Sequence, residues 1–329
     1  MDQKFSFIAL SATVAENFEG PFRLGEGVWA ASTNPVELDG EWEDWIGSIK
    51  ATTLIEDCNL FLCASMSSKT PHVLDEESQN LDREVAALFE ALLLTGNVNV
   101  QGRPMRIGGG RTGRSTNVRQ VGDLVPPLIP AGVDYDEVTY AMLTEAEALA
   151  RGHLKLAAST EHERIRRILA IYYSALRERN VHERLHQFCR CIEGFILPDP
   201  RRTTSQFASR TELFVGPRHH RVTRRLYEMR SSVEHMHPYL FSDEVSERER
   251  RLEVMRMAAT AQGFARYCVR RFLGRMDLWP HFSNADALAS FWQLSFSERE
   301  MLWGDKLNLS VLLEAFDSAS FSDSSLKLL

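Results

Sequence analysis

The sequence predicts an α+β N-terminal domain followed by an all-α helical bundle, and three observations predict this division. Stretches rich in β-branched and aromatic residues, typical of strands, occupy the beginning of the chain. A proline-rich passage, LVPPLIPAGVDYDE (124–137), then interrupts it. Beyond that passage, apolar residues recur at helical spacing. We therefore expect an α+β domain over residues 1–135 and a helical domain over residues 136–329.

Two stretches of the N-terminal domain predict strands, FSFIALSATV (5–14) and ATTLIEDCNLFLCASM (51–66), because β-branched and aromatic residues are frequent in them. The following stretch, LDREVAALFEALLLTG (81–96), predicts a helix that stops at Gly96. NVNVQGRPMRIGGG (97–110) returns to a strand-and-turn pattern. This mixture of elements makes the domain α+β.

The helical domain follows from apolar residues spaced three and four apart. The predicted apolar faces are Ile165, Ile168, Leu169, Tyr172 and Leu176 in one helix, Leu185, Phe188, Cys189, Ile192 and Phe195 in the next, and Val222, Leu226, Met229 and Val233 in a later one. A capping box from Ser246 to Glu249 opens one long helix through Leu273, and Ser283 to Asp286 opens a further short helix. We expect a bundle of about five or six helices.

Composition places the chain among ordinary globular proteins, with 329 residues, 44% hydrophobic and 25% charged. It contains no apolar run of about 18 residues, so no transmembrane helix and no membrane partner are expected. The N-terminus, MDQKFSFIALSATVAENFEG, is a poor secretory signal. The five cysteines form no C-x-x-C pair, which is typical of reduced thiols and predicts a cytoplasmic protein.

The net charge of −7 conceals an asymmetry between the two halves. Residues 1–150 hold 10 Lys and Arg against 23 Asp and Glu, whereas residues 151–329 hold 28 against 22. Of those 28 basic residues 25 are arginines, and nine of the ten histidines lie in the same half. Guanidinium groups match phosphate oxygens, so the bias favours a polyanionic partner. The alternative is that arginine-rich helices carry it without any such partner.

Two short motifs suggest other chemistry. HERLH (182–186) fits the H-E-x-x-H pattern, in which His182 and His186 bind zinc and Glu183 is the general base, but no third ligand stands at the usual distance. GGGRTG (108–113) fits G-x-G-x-x-G, but the polar segment after it does not predict the helix of a dinucleotide site. The arginines that crowd this stretch favour a loop that contacts phosphates, with a hairpin tip as the alternative; they are Arg103, Arg106, Arg111, Arg114 and Arg119.

A third stretch, RRLYEMRSSVEHMHP (224–238), places Arg230 five residues before His235 and seven before His237. Spacing alone is a weak discriminator, because arginine and histidine are frequent here. At 100° per residue, an ideal helix places His235 about 140° from Arg230 and His237 within about 20°. Pro238 disfavours helical geometry at His237, so we expect the helix to loosen there.

The context of this stretch resembles a known family. LYEMRSSVEHMH (226–237) is similar to the active-site segment of the HEPN superfamily, particularly its ApeA-like branch. FCRCIEGFILP (188–198) resembles that branch's helix with a glutamate near its end, here Glu193. TSQFASRTELFV (204–215) resembles the following Phe-x-x-Arg segment, here Phe207 and Arg210. The resemblance covers about residues 160–275, and it departs from the family's common His-Gly pair by the sequence His235-Met-His237.

The resemblance implies a HEPN-type bundle that cleaves RNA without a metal or other cofactor, in antiviral defence or toxin-like growth arrest. A histidine would transfer protons and Arg230 would stabilise the phosphorane oxygens. Which of His235 and His237 is catalytic stays open. Ser231 would orient the arginine or touch phosphate, and Glu193 would hold an arginine in place by an ion pair. We expect further RNA contacts from Arg210, Arg224, Arg225, Arg111 and Arg114.

A single arginine–histidine pair is a small catalytic set, and HEPN proteins typically complete it by dimerisation. We therefore expect a homodimer with a composite site, and a sensing or docking N-terminal domain that receives a regulatory partner. The alternatives are a non-catalytic RNA- or protein-binding module and, less favoured, a zinc hydrolase that uses His182 and His186.

Overall fold

The computed structural model describes residues 2–16, 18–36, 45–70, 72–113, 115–199, 202–237 and 246–322. Contacts divide the chain into two compact units. The first comprises Met1–Pro127 and Tyr135–Lys155, and the second comprises Leu128–Asp134 and Leu156–Leu329. The chain therefore passes between the units more than once, whereas the sequence analysis placed a single boundary after residue 135.

The first unit contains a six-stranded antiparallel sheet with the strand order β2-β3-β4-β1-β5-β6. Its strands are β1 (Asp2–Ala12), β2 (Phe22–Arg23), β3 (Val28–Ala31), β4 (Leu60–Ser68), β5 (Val100–Thr112) and β6 (Ser115–Asp123). Its helices are α1 (Ser48–Thr52), α2 (Glu76–Thr95) and most of α3 (Tyr140–Ala158). This sheet-containing region, followed by a helical region, is the α+β-then-helical order that the sequence predicts.

The central strand β1 is covered on both faces. Phe5 and Phe7 belong to an apolar cluster on one face, together with residues of the neighbouring strands. Helix α2 packs against β1 and β4, and its residues Leu81, Val85 and Leu88 are buried. Because successive side chains of a strand alternate between faces, burial of the whole run from Phe5 to Leu10 requires a layer on each side.

One predicted strand begins later than the sequence suggests. Residues 48–57 are helical, first as α1 and then as a π-helical turn, and the strand β4 starts only at Leu60. Ala51 and Leu54, three residues apart, are buried, which is helical rather than strand spacing. Core packing of these two residues therefore overrides the strand propensity of the surrounding threonines and isoleucine.

The second unit is helical. Its α-helices are α4 (Glu163–Ala175), α5 (Val181–Ile196), α6 (Thr203–Val215), α7 (His220–Glu234), α8 (Glu247–Gly274), α9 (Ala285–Gln293), α10 (Phe296–Trp303) and α11 (Leu309–Glu314). The described residues thus give eight helices instead of five or six, because α10 and α11 are too short to produce an extended apolar period. The long helix α8 begins at the predicted capping box. The cap of α9 is Asn284 rather than Ser283, since the Asn284 side chain accepts a hydrogen bond from the Ala287 amide.

Helix α5 is central to this bundle and packs against α4, α7 and α8. The apolar faces predicted for α4 and α5 are buried, and in α7 the stripe is buried at Leu226 and Met229. Large aromatic side chains fill the interior around Phe195, which contacts Phe272, Phe282 and Trp303. Within the described part of the chain, no helix has both the length and the apolar character needed to span a bilayer.

A buried lysine ties the first strand to the start of α2. The Lys4 side chain is 1% exposed, and its ammonium group binds the carboxylates of Asp75 and Glu77, the latter at 2.6 Å. Asp75 also caps α2 by accepting a hydrogen bond from the Ser78 amide. The hydrogen bond from Lys4, with help from the Ser78 amide, lowers the pKa of Asp75 to about 2.

We predict that Lys4→Met lowers the melting temperature by roughly 5 °C at neutral pH, because it removes a buried ammonium group that pairs with two partly exposed carboxylates. A carboxyl group whose pKa is lower in the folded state than in the unfolded chain stabilises the fold at pH values above its ordinary pKa of about 3.9. This stabilisation is lost as the pH falls toward the folded-state pKa of about 2. The stability of the wild type should therefore fall between pH 4 and 2 more steeply than that of the variant. Thermal unfolding followed by circular dichroism measures both effects.

The matched control is Lys50→Met, which removes an ion pair with Asp123 between partly exposed side chains. Exposed pairs contribute little, so this variant should melt close to the wild type. Equal melting temperatures for the two variants would contradict the role given to Lys4.

Candidate active site

Helix α7 carries Arg230 on its packed side. Leu226 and Met229 on this helix are buried against α5, and Arg230 follows them in the last turn with its side chain 15% exposed. Its guanidinium lies 5.7 Å from the centre of the Tyr227 ring. The apolar stripe of α7 thus determines which side of this helix packs against α5, and Arg230 lies on that side.

The guanidinium of Arg230 is paired with two carboxylates. Its Nη2 lies 3.0 Å from Oε2 of Glu193 on α5, so the ion pair that the sequence predicted is present. Its Nη1 lies 2.5 Å from Oε2 of Glu234, one turn further along α7. The same Glu234 oxygen lies 3.3 Å from Nε2 of His186. Two helices therefore fix the orientation of one arginine.

The two carboxylates have different surroundings. Burial raises the pKa of Glu193, although Arg230 acts in the opposite direction. At Glu234 burial also acts to raise the pKa, but Arg230 and His186 together lower it below its ordinary value. The Glu234 side chain is 43% exposed, compared with 14% for Glu193. Glu193 is therefore the fixed partner of Arg230, and Glu234 is the one that faces solvent.

The C-terminal end of α7 is closed by a Schellman motif. Met236 has a positive φ of 54°, its amide donates to the Val233 carbonyl at 3.1 Å, and the His237 amide donates to the Ser232 carbonyl at 2.8 Å. His235 is the capping residue. The helix therefore ends before His237, and the angle of about 20° expected for His237 on an ideal helix does not apply.

The two imidazoles beside this cap are exposed, with ring centres 5.7 Å apart. His235 caps the helix directly after Glu234, the carboxylate that pairs with Arg230. Ser231 is half-buried, and its backbone carbonyl accepts the His235 amide at 3.0 Å. The predicted contact from the Ser231 side chain to the arginine or to phosphate stays a prediction.

Arg230 and Glu193 open onto a groove of about 730 Å³ within the second unit. Three further arginines line it, Arg164 and Arg167 from α4 and Arg190 from α5. The volume is typical of sites for small molecules and cofactors. The groove thus combines four guanidinium groups that come from three separate helices.

The other arginines predicted to contact RNA in this unit lie in different settings. Arg210 donates to the carbonyl of Ile196 at 2.6 Å and lies 5.1 Å from the Trp292 ring centre, so it closes the C-terminal end of α5. Arg225 pairs with Glu253 on α8 at 2.8 Å. Arg224 is exposed. Contacts of these three arginines with RNA stay predictions.

The glycine-rich stretch is a strand rather than a loop. Residues 108–110 lie within β5, and a Cβ at Gly109 would stand 2.3 Å from the Asn117 carbonyl oxygen on β6. Close packing therefore explains Gly109 and Gly110, since a Cβ at Gly110 would meet the Val73 side chain, and Gly113, with a φ of 62°, lies at the hairpin tip between β5 and β6. Contact of this stretch with phosphates stays a prediction. Arg111 lines a cavity of only about 40 Å³. Arg114, the other RNA contact predicted here, lies outside the described residues.

The zinc alternative has less support from the geometry. His186 contacts Glu234 through Nε2, and its Nδ1 lies 4.0 Å from Glu183. Burial lowers the pKa of His182. Throughout the described ranges, no three His, Cys, Asp or Glu side chains are grouped so that they could hold a metal ion.

Sequence reasoning did not find the three additional arginines of the groove. Arg164 and Arg167 are three residues apart on α4, outside its apolar face, and this spacing was visible in ERIRRILA. Without knowledge of the helix packing, nothing distinguished them from the other arginines of this half. Arg190 is likewise an exposed residue of α5.

Comparison of the chain with protein-family models, with curated proteins and with solved structures found no significant match. The function of this site must therefore be inferred from its own residues and their geometry.

Proposed function

We propose that this protein is a metal-independent endoribonuclease of HEPN type. The observation that carries the proposal is an arginine anchored between two helices, Arg230, which opens onto a groove lined by three further guanidinium groups. Two imidazoles follow it at the end of the same helix. The likeness of residues 226–237 to the HEPN active-site segment supports the same assignment.

The proposed reaction uses the 2′-hydroxyl of the RNA as nucleophile. A histidine takes its proton, the 2′-oxygen attacks phosphorus, and the bond from phosphorus to the 5′-oxygen breaks as that oxygen receives a proton. The products are a 2′,3′-cyclic phosphate and a 5′-hydroxyl. Arg230 binds the non-bridging oxygens and stabilises the negative charge that gathers on them.

The ion pairs of Arg230 fit this role. Glu193 holds the guanidinium from the buried side and leaves its other edge to Glu234. Because Glu234 is more exposed and also contacts His186, its carboxylate turns toward His186 when a phosphate takes its place. His235 is the favoured proton-transfer group, because it caps α7 directly after Glu234, the partner of Arg230, and His237 is the alternative.

We further propose that two copies of the chain face each other through the ends of α7, so that imidazoles from both copies serve one cleft. Met236, between the two histidines, is 94% exposed and offers an apolar contact at this position. The first unit would then sense or dock a regulatory partner. Antiviral defence or toxin-like growth arrest is the setting that the family likeness favours.

A second candidate is an RNA-binding module without catalysis. It is favoured by one observation, namely that both ends of the Arg230 guanidinium are occupied by carboxylates. Under this alternative the groove binds RNA and no fragments form.

Incubation of the full chain with total RNA in EDTA tests the proposal. We expect fragments with 5′-hydroxyl ends and cyclic phosphates, because protons and a fixed cation suffice for the reaction. Binding without fragments would support the second candidate instead. Cleavage that stops in EDTA and returns with zinc would contradict the metal-independent mechanism.

A further inference from the structure

We infer that Arg164 and Arg167 form a second phosphate subsite in the groove, which holds a phosphodiester flanking the bond that is cut. The inference rests on the proposed function for the identity of the strand as RNA. It adds a positioning site to the groove, separate from the Arg230 ion pairs.

The first support is uncompensated positive charge. Arg164 is half-buried, and burial together with the neighbouring Arg167 lowers its pKa. Within the described part of the chain, neither guanidinium makes an ion pair or a hydrogen bond. Two like charges held together in a groove without a partner repel each other, and a bound anion relieves that repulsion.

Arg230 differs from this pair in the same groove. Its charge is balanced by Glu193 and Glu234, whereas Glu161 and Glu163, the lining residues closest to Arg164 in sequence that are acidic, are exposed and form no ion pair with it. The charge that Arg164 and Arg167 offer is therefore available to a ligand before any rearrangement. Binding at this subsite would precede engagement of Arg230.

The surrounding wall suits a phosphate group. Helices α4, α6 and α9 begin at residues that line the groove, Glu163, Thr203 and Ala285. The α4 and α6 starts lack a side-chain cap, so their first amides add partial positive charge. Among the described residues that line the groove there is no Phe, Tyr or Trp on which a base could stack. The groove therefore favours contacts to the backbone of the strand and tolerance of its sequence.

Binding of a short single-stranded 2′-deoxy oligonucleotide, which lacks the attacking hydroxyl, tests the subsite apart from cleavage. We expect the double variant Arg164→Ala with Arg167→Ala to raise Kd about 10-fold at low salt. The slope of log K against log salt should become shallower by about 1.4, because each phosphate contact to a single strand contributes about 0.7 to that slope. Fluorescence anisotropy over a salt series measures both quantities. The rate of cleavage of an RNA of the same sequence should fall at low RNA concentration, because binding is weaker. At saturating RNA the rate should equal that of the wild type.

Arg177→Ala with Arg179→Ala is the matched control, because it also removes two positive charges. Arg177 and Arg179 are exposed just beyond the end of α4 and do not line the groove, so their loss changes the net charge without touching the subsite. The Kd of this control should stay within about 2-fold of the wild type. Thermal melting followed by circular dichroism checks that each variant is folded. If the alanine double variant does not fold, the double variant Arg164→Lys with Arg167→Lys replaces it. That variant keeps both charges and should retain most of the binding.

The outcomes separate the two proposals. A double variant that binds as the wild type does would overturn the subsite even if Arg230 variants stop cleavage. Binding that depends on Arg164 and Arg167 in a protein that never cuts RNA would support the subsite and overturn the endoribonuclease. An equal loss of binding when Arg177 and Arg179 are both replaced by alanine would show that only net charge matters and would overturn the subsite.

Discussion

Arg230→Ala is expected to slow RNA cleavage at least about 100-fold, the usual cost of losing one group that stabilises developing charge. The guanidinium lies in the groove with its orientation fixed by Glu193 at 3.0 Å, whereas the other arginines of the groove come from α4 and α5. Single-turnover cleavage of a labelled RNA measures the chemical step. Binding of the uncleavable strand should weaken far less than the rate falls.

Arg230→Lys separates catalysis from folding. Lysine keeps one positive charge near Glu193 but loses the planar fork that engages two oxygens at once, so we expect a folded and nearly inactive protein. The matched control is Arg184→Lys, because Arg184 is a buried arginine on α5 whose fork binds the Glu178 carbonyl. If Arg230→Lys cleaves as fast as the control, the fork has no catalytic role.

His235→Ala is expected to reduce cleavage by about 100- to 10,000-fold, the usual contribution of positioned proton transfer. His237→Ala should cost less, because His235 caps α7 directly after Glu234, the partner of Arg230, whereas the left-handed residue Met236 separates His237 from the helix. Both side chains are exposed, so neither substitution should lower the melting temperature measurably. Rates for the two single variants and the double variant, measured on one RNA, rank the two imidazoles.

Mixing inactive variants tests the shared cleft. If one copy supplies Arg230 and the other supplies His235, a mixture of Arg230→Lys and His235→Ala should recover part of the wild-type rate. No recovery, together with a protein that sediments as a monomer, would contradict the composite site. A larger loss in His237→Ala than in His235→Ala would transfer the proton-transfer role to His237.

Much of the secondary structure follows from local sequence. The apolar spacing of α4 and α5 and the capping box at Ser246 place helices where they are found, because helical periodicity and end capping depend on neighbours within a few residues. The same local reasoning failed where packing decides. Residues 51–57 are helical because Ala51 and Leu54 face the core, and residues 108–110 form a strand because β6 approaches closely.

By itself, the sequence determined a sheet-containing region followed by a helical region, and it singled out Arg230, His235 and Glu193 through the likeness of two segments. Only the tertiary structure decided which arginines share a groove, since Arg164 lies 66 positions before Arg230 and meets it through the packing of α4 and α7 on α5. It also decided that α7 stops before His237, because the left-handed residue Met236 turns the chain there. Contacts between distant positions depend on how helices pack, and helix packing is not contained in the periodicity of any single helix.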